Sequence, residues 1–185
     1  MTVRAYRTTT RLFTVASVLV VDDSPSIRML VRANLELAGF TVSEVKDGVD
    51  CIRLLKGEPE RFDAVIVDVM MPRLDGFATV RAIRQIPDLP AISVIVMSTH
   101  ARSSDIDSGR NAGADAYVVK PFDPEHLIAV VKTTLGRGDA DLWDPGAIEA
   151  GRAATQRRRV SGTTTPDGGD HRLGDDRLGD DRLGE

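Results

Sequence analysis

The stretch Ala64-Val65-Ile66-Val67-Asp68-Val69 is apolar at every position except Asp68. A short continuous run of apolar, mostly β-branched residues is typical of a strand that is buried on both faces of a parallel sheet. A carboxylate is costly to bury without a partner, so a lone acid in such a strand points to a chemical role. The stretch therefore predicts a buried parallel sheet with a functional carboxylate at Asp68.

Similar apolar runs recur along the chain and alternate with segments of helical spacing. Strands are predicted at residues 17–21, 40–45, 64–69, 92–97 and 116–119. Ser24-Pro25 and Asp123-Pro124 resemble helix starts, with a capping side chain before a proline in the first turn. The other three predicted helices contain Val49, Ile52 and Leu55, then Phe77, Val80 and Ile83, then residues 103–112. Five such βα units predict an α/β fold, a doubly wound five-stranded parallel sheet with helices on both faces.

Composition excludes several classes of protein. Of the 185 residues, 42% are apolar and 28% are charged, which is normal for a globular chain and excludes a wholly disordered one. The net charge of −4 gives the chain as a whole no broad basic surface for nucleic acid. The single cysteine, Cys51, cannot form an internal disulfide, so a cytoplasmic location is expected. No apolar run approaches the roughly 20 residues that a membrane span needs, so no membrane association is expected.

Three regions differ in composition. Residues 1–16 carry three arginines and no acid, and are predicted to be a basic, flexible extension. Residues 17–137 hold nearly all of the periodic apolar sequence and form the predicted domain. Residues 138–185 are rich in Gly, Asp and Arg and end in a five-residue repeat, so they are predicted to be a disordered tail.

Polar side chains follow four of the predicted strands. Asp22 and Asp23 come after the first strand, Asp68 lies near the end of the third, Ser98 follows the fourth and Lys120 follows the fifth. In open parallel sheets, ligands bind beyond the carboxyl ends of the strands. These side chains are therefore expected to meet at one edge of the sheet.

This combination predicts a metal-assisted phosphoryl site. Mg²⁺ prefers hard oxygen ligands, and it relieves the repulsion between clustered carboxylates. A carboxylate can act as a nucleophile and form an aspartyl phosphate. A hydroxyl and an ammonium group can hold the phosphoryl oxygens, because phosphoryl transfer depends mainly on positioning and charge neutralisation.

Several motifs resemble those of response-regulator receiver domains of the CheY-like superfamily, over about residues 17–137. They are Val18-Leu19-Val20-Val21-Asp22-Asp23-Ser24, residues 63–72 followed by Leu74-Asp75-Gly76, Val94-Ile95-Val96-Met97-Ser98, and Asp115-Ala116-Tyr117-Val118-Val119-Lys120-Pro121-Phe122. The resemblance implies the flavodoxin-like strand order 2-1-3-4-5.

The resemblance also implies roles for individual residues. Asp68 is the expected phospho-acceptor, and Asp22, Asp23, Asp68 and the backbone carbonyl of Met70 are the expected Mg²⁺ ligands. Ser98 and Lys120 are expected to contact the phosphoryl group, and the peptide bond from Lys120 to Pro121 is expected to be cis. Ser98 and Tyr117 are the expected switch residues, with Tyr117 turning inward on activation.

Two positions differ from the pattern of the best-studied receivers. Met70 lies two residues after Asp68, where a polar residue is frequent, and His100 lies two residues after Ser98, where an acid or amide is frequent. Both positions flank the expected path of a hydrolytic water. They therefore affect the expected lifetime of the phosphate and not the identity of the phosphorylated residue.

The implied function is that of a two-component response regulator, a phospho-acceptor switch rather than an enzyme. A sensor histidine kinase or a histidine phosphotransfer protein is the expected phosphate donor. The fourth helix, the fifth strand and the fifth helix are expected to form the face that binds an unknown downstream protein, and a phosphorylation-dependent dimer is possible. Residues 138–185 are too polar for a helix-turn-helix core, so a stand-alone receiver without a DNA-binding domain is expected.

Three alternatives remain open at this point. The chain can serve as a phosphorelay intermediate that passes its phosphate to a histidine phosphotransfer protein. It can be an unphosphorylated interaction scaffold, although the intact set of acids, Ser98 and Lys120 argues against this. A phosphatase of the haloacid-dehalogenase type also forms an aspartyl phosphate, but that class needs an acid at the position of Met70.

Overall fold

The computed structural model describes residues 15–136 and 142–143. Strands and helices alternate along residues 15–136: β1 (Ser17–Val21), α1 (Pro25–Leu37), β2 (Thr41–Val45), α2 (Gly48–Gly57), β3 (Ala64–Asp68), α3 (Gly76–Arg84), β4 (Ser93–Ser98), α4 (Ser103–Ala112), β5 (Ala116–Val119) and α5 (Pro124–Thr134). All strand pairs are parallel and the order is β2-β1-β3-β4-β5. The predicted fold class and strand order are confirmed.

Capping side chains explain where most of the helices begin. Backbone N–H groups in the first turns of α1, α2, α3 and α5 donate hydrogen bonds to the side chains of Ser24, Asp47, Asp75 and Asp123. These bonds satisfy donors that have no partner within the helix. Helix α4 differs, because its N-cap residue Arg102 makes no capping hydrogen bond through its side chain.

The core consists of two layers, one on each face of the sheet. The first layer packs α2, α3 and α4 against the sheet, and the second packs α1 and α5 against its other face. Alternate residues of β3 point into opposite layers, Val65 and Val67 into the first and Ala64 and Ile66 into the second. Burial on both faces accounts for the nearly continuous apolar sequence of this strand.

Two apolar residues that share the helical spacing of the buried residues around them are exposed. Leu30 of α1 is 46% exposed and Val49 of α2 is 37% exposed. The buried stripe of α1 runs through Val31 and Leu35, one position away from Leu30. Periodicity identified the helices correctly but did not fix their rotation about their own axes.

Of the predicted flanking segments, Val15 and Ala16 at one end and Leu142 and Trp143 at the other are described. The prediction of a flexible extension and a disordered tail otherwise lies outside the described residues. Both Leu142 and Trp143 pack against the domain, Leu142 against the layer of α1 and α5 and Trp143 against the layer of α2 to α4. Among the helices between residues 15 and 136, none combines the length and apolar character needed to cross a bilayer.

Candidate functional site

Three charged side chains meet at the carboxyl edge of the sheet. Asp22 directly follows β1, Asp68 is the last residue of β3, and Lys120 directly follows β5. Because β3 is the central strand of the sheet, Asp68 lies between the ends of β1 and β4. The predicted convergence of these residues is present in the structure.

Lys120 bridges the two carboxylates. Its Nζ donates to Asp22 Oδ2 and to Asp68 Oδ1, each at 2.6 Å. All three side chains are mostly buried, with exposed fractions of 13% for Lys120, 1% for Asp22 and 8% for Asp68. Because one ammonium group faces two carboxylates, the buried cluster keeps an excess of negative charge.

The charge states of the cluster are coupled. Burial raises the pKa of Asp68, and the charge of Asp22 raises it further; the hydrogen bond and charge of Lys120 lower it without restoring the ordinary value. Burial alone lowers the pKa of Lys120, but its contacts with Asp22 and Asp68 outweigh burial and raise that pKa overall. Lys120 is therefore held as the cation that Asp68 and Asp22 share.

The remaining carboxylate oxygens are held by the backbone. Asp68 Oδ2 accepts from Met70 N at 2.8 Å, and Asp22 Oδ1 accepts from Ser24 N at 2.9 Å. The side chain of Asp23 is not drawn into the cluster, and this residue is exposed. The Met70 side chain is also exposed, at 63%, so it stands at the mouth of the site.

Ser98 and Tyr117 are joined through the loop between β4 and α4. Ser98 is buried, and its Oγ accepts from His100 N at 3.0 Å. The Tyr117 hydroxyl donates to the backbone carbonyl of His100 at 3.0 Å. Tyr117 is only 1% exposed, so its ring lies inside the domain in this structure. Burial raises the pKa of its hydroxyl.

The peptide bond from Lys120 to Pro121 is cis, as the resemblance implies. The Lys120 N–H donates to the backbone carbonyl of Ser98 at 2.6 Å. The backbone therefore places Lys120 directly beside the end of β4.

Two further positioning residues were not singled out from the sequence. Arg28 of α1 donates from Nη1 to the backbone carbonyls of Asp22 at 2.7 Å and Asp23 at 3.2 Å, and so holds the loop that carries both acids. Nothing in the local sequence of α1 signals this role. Gly76 lies against the end of β3, where a Cβ atom would be only 2.3 Å from the backbone oxygen of Asp68. The Asp75-Gly76 pair is a helix-start signal, but only the fold shows what the glycine approaches.

The residues fit a magnesium ion. Asp22, Asp23, Asp68 and the Met70 carbonyl offer only hard oxygens, and the excess negative charge around Lys120 favours a cation. Within residues 15–136 and 142–143, no group of three or more acidic, histidine or cysteine side chains is placed to hold a metal ion by itself. Mg²⁺ does not need one, since it binds through one or two carboxylates and keeps several waters.

Comparison with known proteins agrees with this geometry. The family model for the response regulator receiver domain matches residues 18–132. The chain belongs to the response regulator receiver family. Receivers of this family act in two-component systems, and the predicted family is confirmed.

Solved receivers share the fold. The chemotaxis receiver CheY4 of Vibrio cholerae is 34% identical, with a TM-score of 0.61, and the match covers 65% of this chain and 99% of that one. The receiver domain of the sensor histidine kinase PA1611 of Pseudomonas aeruginosa is 28% identical, with a TM-score of 0.60, over 66% of this chain and 99% of that one. That structure contains a magnesium ion coordinated in its active-site cleft.

Curated relatives correct one prediction. The probable transcriptional regulator ycf27 of Guillardia theta is 38% identical over 68% of this chain and 48% of the relative. The DNA-binding dual master transcriptional regulator RpaA of a Synechocystis strain is 35% identical over 66% and 50%. DrrB, an OmpR/PhoB homologue of Thermotoga maritima, is 33% identical with a TM-score of 0.59, over 67% of this chain and 54% of that one.

The chain thus spans about half the length of the curated relatives that it matches. The prediction of a stand-alone receiver without a DNA-binding domain is wrong, because these relatives are transcriptional regulators and this chain covers only their receiver part. The polar composition of residues 138–185 describes those residues alone. It carries no information about how the output of such a regulator is organised.

Proposed function

We propose that this receiver is switched by phosphorylation of Asp68, with a histidine kinase as the donor. The observation that supports this most is the buried bridge from Lys120 to Asp22 and Asp68 at the carboxyl edge of the sheet. Such a bridge holds a nucleophilic carboxylate beside a fixed positive charge. Phosphoryl transfer needs little more than this positioning and charge neutralisation.

The transfer forms one bond and breaks one bond. An oxygen of the ionised Asp68 carboxylate attacks the phosphorus of a phosphohistidine, the oxygen–phosphorus bond forms, and the nitrogen–phosphorus bond breaks. The histidine ring takes up a proton as it leaves. Lys120 is placed to neutralise charge that develops on the phosphoryl oxygens, and Ser98 Oγ is placed at the end of the adjacent strand to donate to one of them.

Asp22, Asp23, Asp68 and the Met70 carbonyl would hold the magnesium ion. When bound, Mg²⁺ supplies charge neutralisation between the carboxylates and the incoming phosphoryl group. Arg28 donates to the backbone carbonyls of Asp22 and Asp23 and so fixes the loop that carries both acids. The two carboxylates would therefore keep their position when the ion binds.

The switch is proposed to reach the face of α4, β5 and α5 through Ser98. When Ser98 Oγ turns to the phosphoryl group, it gives up the hydrogen bond from His100 N that holds the loop before α4. The same loop carries the carbonyl that binds Tyr117. In the transcriptional relatives this rearrangement would control binding to DNA. We propose that the signal received by this chain likewise controls transcription. A cytoplasmic location is part of the proposal, and the free, buried Cys51 suits a reducing compartment.

The proposal is tested by the intact mass of the full chain after incubation with acetyl phosphate and Mg²⁺. We expect a gain of one phosphate, lost in Asp68→Ala and in the presence of a chelator. Asp107→Ala is the matched control, because Asp107 is an exposed acid on α4 outside the cluster. Labelling of Asp68→Ala to the extent of wild type would contradict the assignment.

A further inference from the structure

The pair Leu142–Trp143 lies across the two core layers although the residues are adjacent in sequence. Leu142 packs against the layer formed by α1 and α5, and Trp143 packs against the layer formed by α2, α3 and α4. Leu142 also lines a groove with Arg84, Ser93 and Asp115. Ser93 begins β4 and Asp115 directly precedes β5, so the pair sits at the amino-terminal edge of the sheet, opposite the acidic cluster.

Trp143 contacts the last turn of α4. Its ring lies 4.8 Å from the guanidinium carbon of Arg110, a cation–π geometry. The turn that follows α4 is held on its other side by Arg84, whose Nε donates to the Gly113 carbonyl at 2.8 Å and whose Nη2 donates to Asp115 at 2.6 Å. The end of α4 is thus held by contacts from α3 and from Trp143.

The buried face of α4 consists mostly of small residues. The helix buries only Ile106, Gly109 and Ala112, and its first turn has no capping side chain. A helix with so little buried apolar surface belongs to the least stable part of a domain. The contact between Trp143 and Arg110 therefore adds a restraint to a weakly packed helix.

We propose that Leu142–Trp143 is a docked strap that couples the position of α4 to the chain after α5. The strap favours the position of α4 described here, in which the loop before the helix is held by Ser98 Oγ and the ring of Tyr117 lies against Gly109, next to Arg110. A change at Ser98 that shifts α4 weakens the contact between Trp143 and Arg110. By linkage, the strap in turn resists that shift. The coupling rests on the proposed function, but the docking does not.

The strap can be followed by fluorescence because Trp143 is the single tryptophan of the chain. The first arm measures acrylamide quenching of the full-length protein with no phosphoryl analogue present. We expect native Trp143 to be quenched less than in the denatured chain. Arg110→Ala should raise the ratio of undocked to docked strap by about twofold to fivefold, the factor that corresponds to an exposed cation–π contact. Arg102→Ala, an exposed arginine at the other end of the helix, is the matched control and should change nothing.

The second arm adds Mg²⁺ and beryllofluoride, which mimics the phosphoryl group. We expect the quenching of Trp143 to rise in wild type and to stay constant in Asp68→Ala. Native quenching equal to that of the denatured chain, or no response to Arg110→Ala, overturns the docking. Unchanged quenching in a protein that gains one phosphate in the mass measurement overturns the coupling and leaves the proposed function intact. A protein that gains no phosphate instead contradicts the proposed function, and the first arm still decides the docking.

Discussion

At the scale of single residues, Lys120 is expected to contribute more to stability than Asp68, the carboxylate to which it donates. Replacing Asp68 by Asn leaves Lys120 paired with Asp22 and removes the repulsion between Asp22 and Asp68. Replacing Lys120 by Met leaves two buried carboxylates without their cation, and the loss of one partner of a buried ion pair costs about 3 kcal/mol or more. In urea unfolding at neutral pH without Mg²⁺, Lys120→Met should lose about this much and Asp68→Asn should lose nothing.

The loss in Lys120→Met should depend on pH. Since the folded pKa of Asp68 lies above 3.8, ionisation of Asp68 opposes folding: the stability it contributes is complete below 3.8 and is lost as the pH rises through the folded pKa. Without Lys120 the pKa of Asp68 in the folded state rises further, so the loss of unfolding free energy extends over a wider pH range. The difference in unfolding free energy between wild type and Lys120→Met should therefore shrink at acidic pH. A difference that is constant with pH would contradict the shared-cation arrangement.

The phosphorylated form is expected to last minutes or more rather than seconds. Hydrolysis needs a water placed in line with the bond between Asp68 and phosphorus, and the exposed Met70 offers only a thioether that orients such a water poorly. Met70→Asn should speed the loss of phosphate by about tenfold, through orientation of that water. His100→Ala should slow the loss or leave it unchanged, because His100 is exposed and can hydrogen-bond the water. The measurement is the decay of purified phosphoprotein in Mg²⁺; a half-life of seconds that neither variant alters would show that other groups set the rate.

At the scale of the elements, α4 carries a glycine for a tertiary reason. A Cβ atom at Gly109 would lie 3.0 Å from Cδ2 of the buried Tyr117 ring and 3.6 Å from Phe77. Replacing a helical glycine by alanine ordinarily stabilises a protein by about 0.5–1 kcal/mol. Gly109→Ala should fail to give this gain, whereas Gly57→Ala in α2, where the space is open, should give it.

A double-mutant cycle separates the ring contact from the helix propensity. In a Tyr117→Ala background the clash is absent, so Gly109→Ala should recover the ordinary gain in unfolding free energy. Additive effects of Gly109→Ala and Tyr117→Ala would mean that the ring and the helix are not coupled at this point.

Helix α5 contains a group that should make stability depend on pH. Burial lowers the pKa of His126, and the charge of Asp123 offsets this only in part. Because the folded pKa lies below the unfolded value of 6.5, the stabilising contribution is complete above 6.5 and is lost as the pH falls toward the folded pKa. Denaturant unfolding at pH 6.5 and at lower pH should show that the unfolding free energy falls as the pH falls. His126→Gln should make this fall smaller. An equal fall in the variant would assign the pH dependence to another group.

Most of the elements could be predicted because their signals are local. Apolar runs mark the strands, and Ser24-Pro25 and Asp123-Pro124 mark helix starts by satisfying backbone donors within one turn. The rotation of α1 could not be predicted, since Leu30 and Val31 are equally apolar and only packing decides which is buried. Strand order came from the resemblance to receivers and not from the pattern of the strands.

The residues of the site also fall into those with a local sequence signal and those without one. Asp68 could be found because an acid stands out in an apolar strand, and Asp22 and Lys120 because each directly follows a predicted strand of the same sheet. Arg28, Gly76 and the packing of Trp143 on Arg110 could not be found, since each depends on a contact between distant elements that no local pattern encodes.

At the scale of the whole molecule, the proposed switch connects two opposite edges of the sheet. The charged cluster lies at the carboxyl edge, and the Leu142–Trp143 strap lies at the amino edge, with α4 between them. Helix α4 buries mainly small residues and has no capping side chain at its first turn, so a small change at Ser98 is expected to move it. The output of such a regulator then depends on which partner binds the face formed by α4, β5 and α5.

Amide hydrogen exchange with and without beryllofluoride tests this claim most directly. In the presence of Mg²⁺, the account predicts that beryllofluoride changes the exchange of α4, β5 and α5, leaves α2 unchanged, and has no effect on Asp68→Ala. Equal exchange on the face of α4, β5 and α5 in both conditions, in a protein shown by mass to accept phosphate on Asp68, would contradict it.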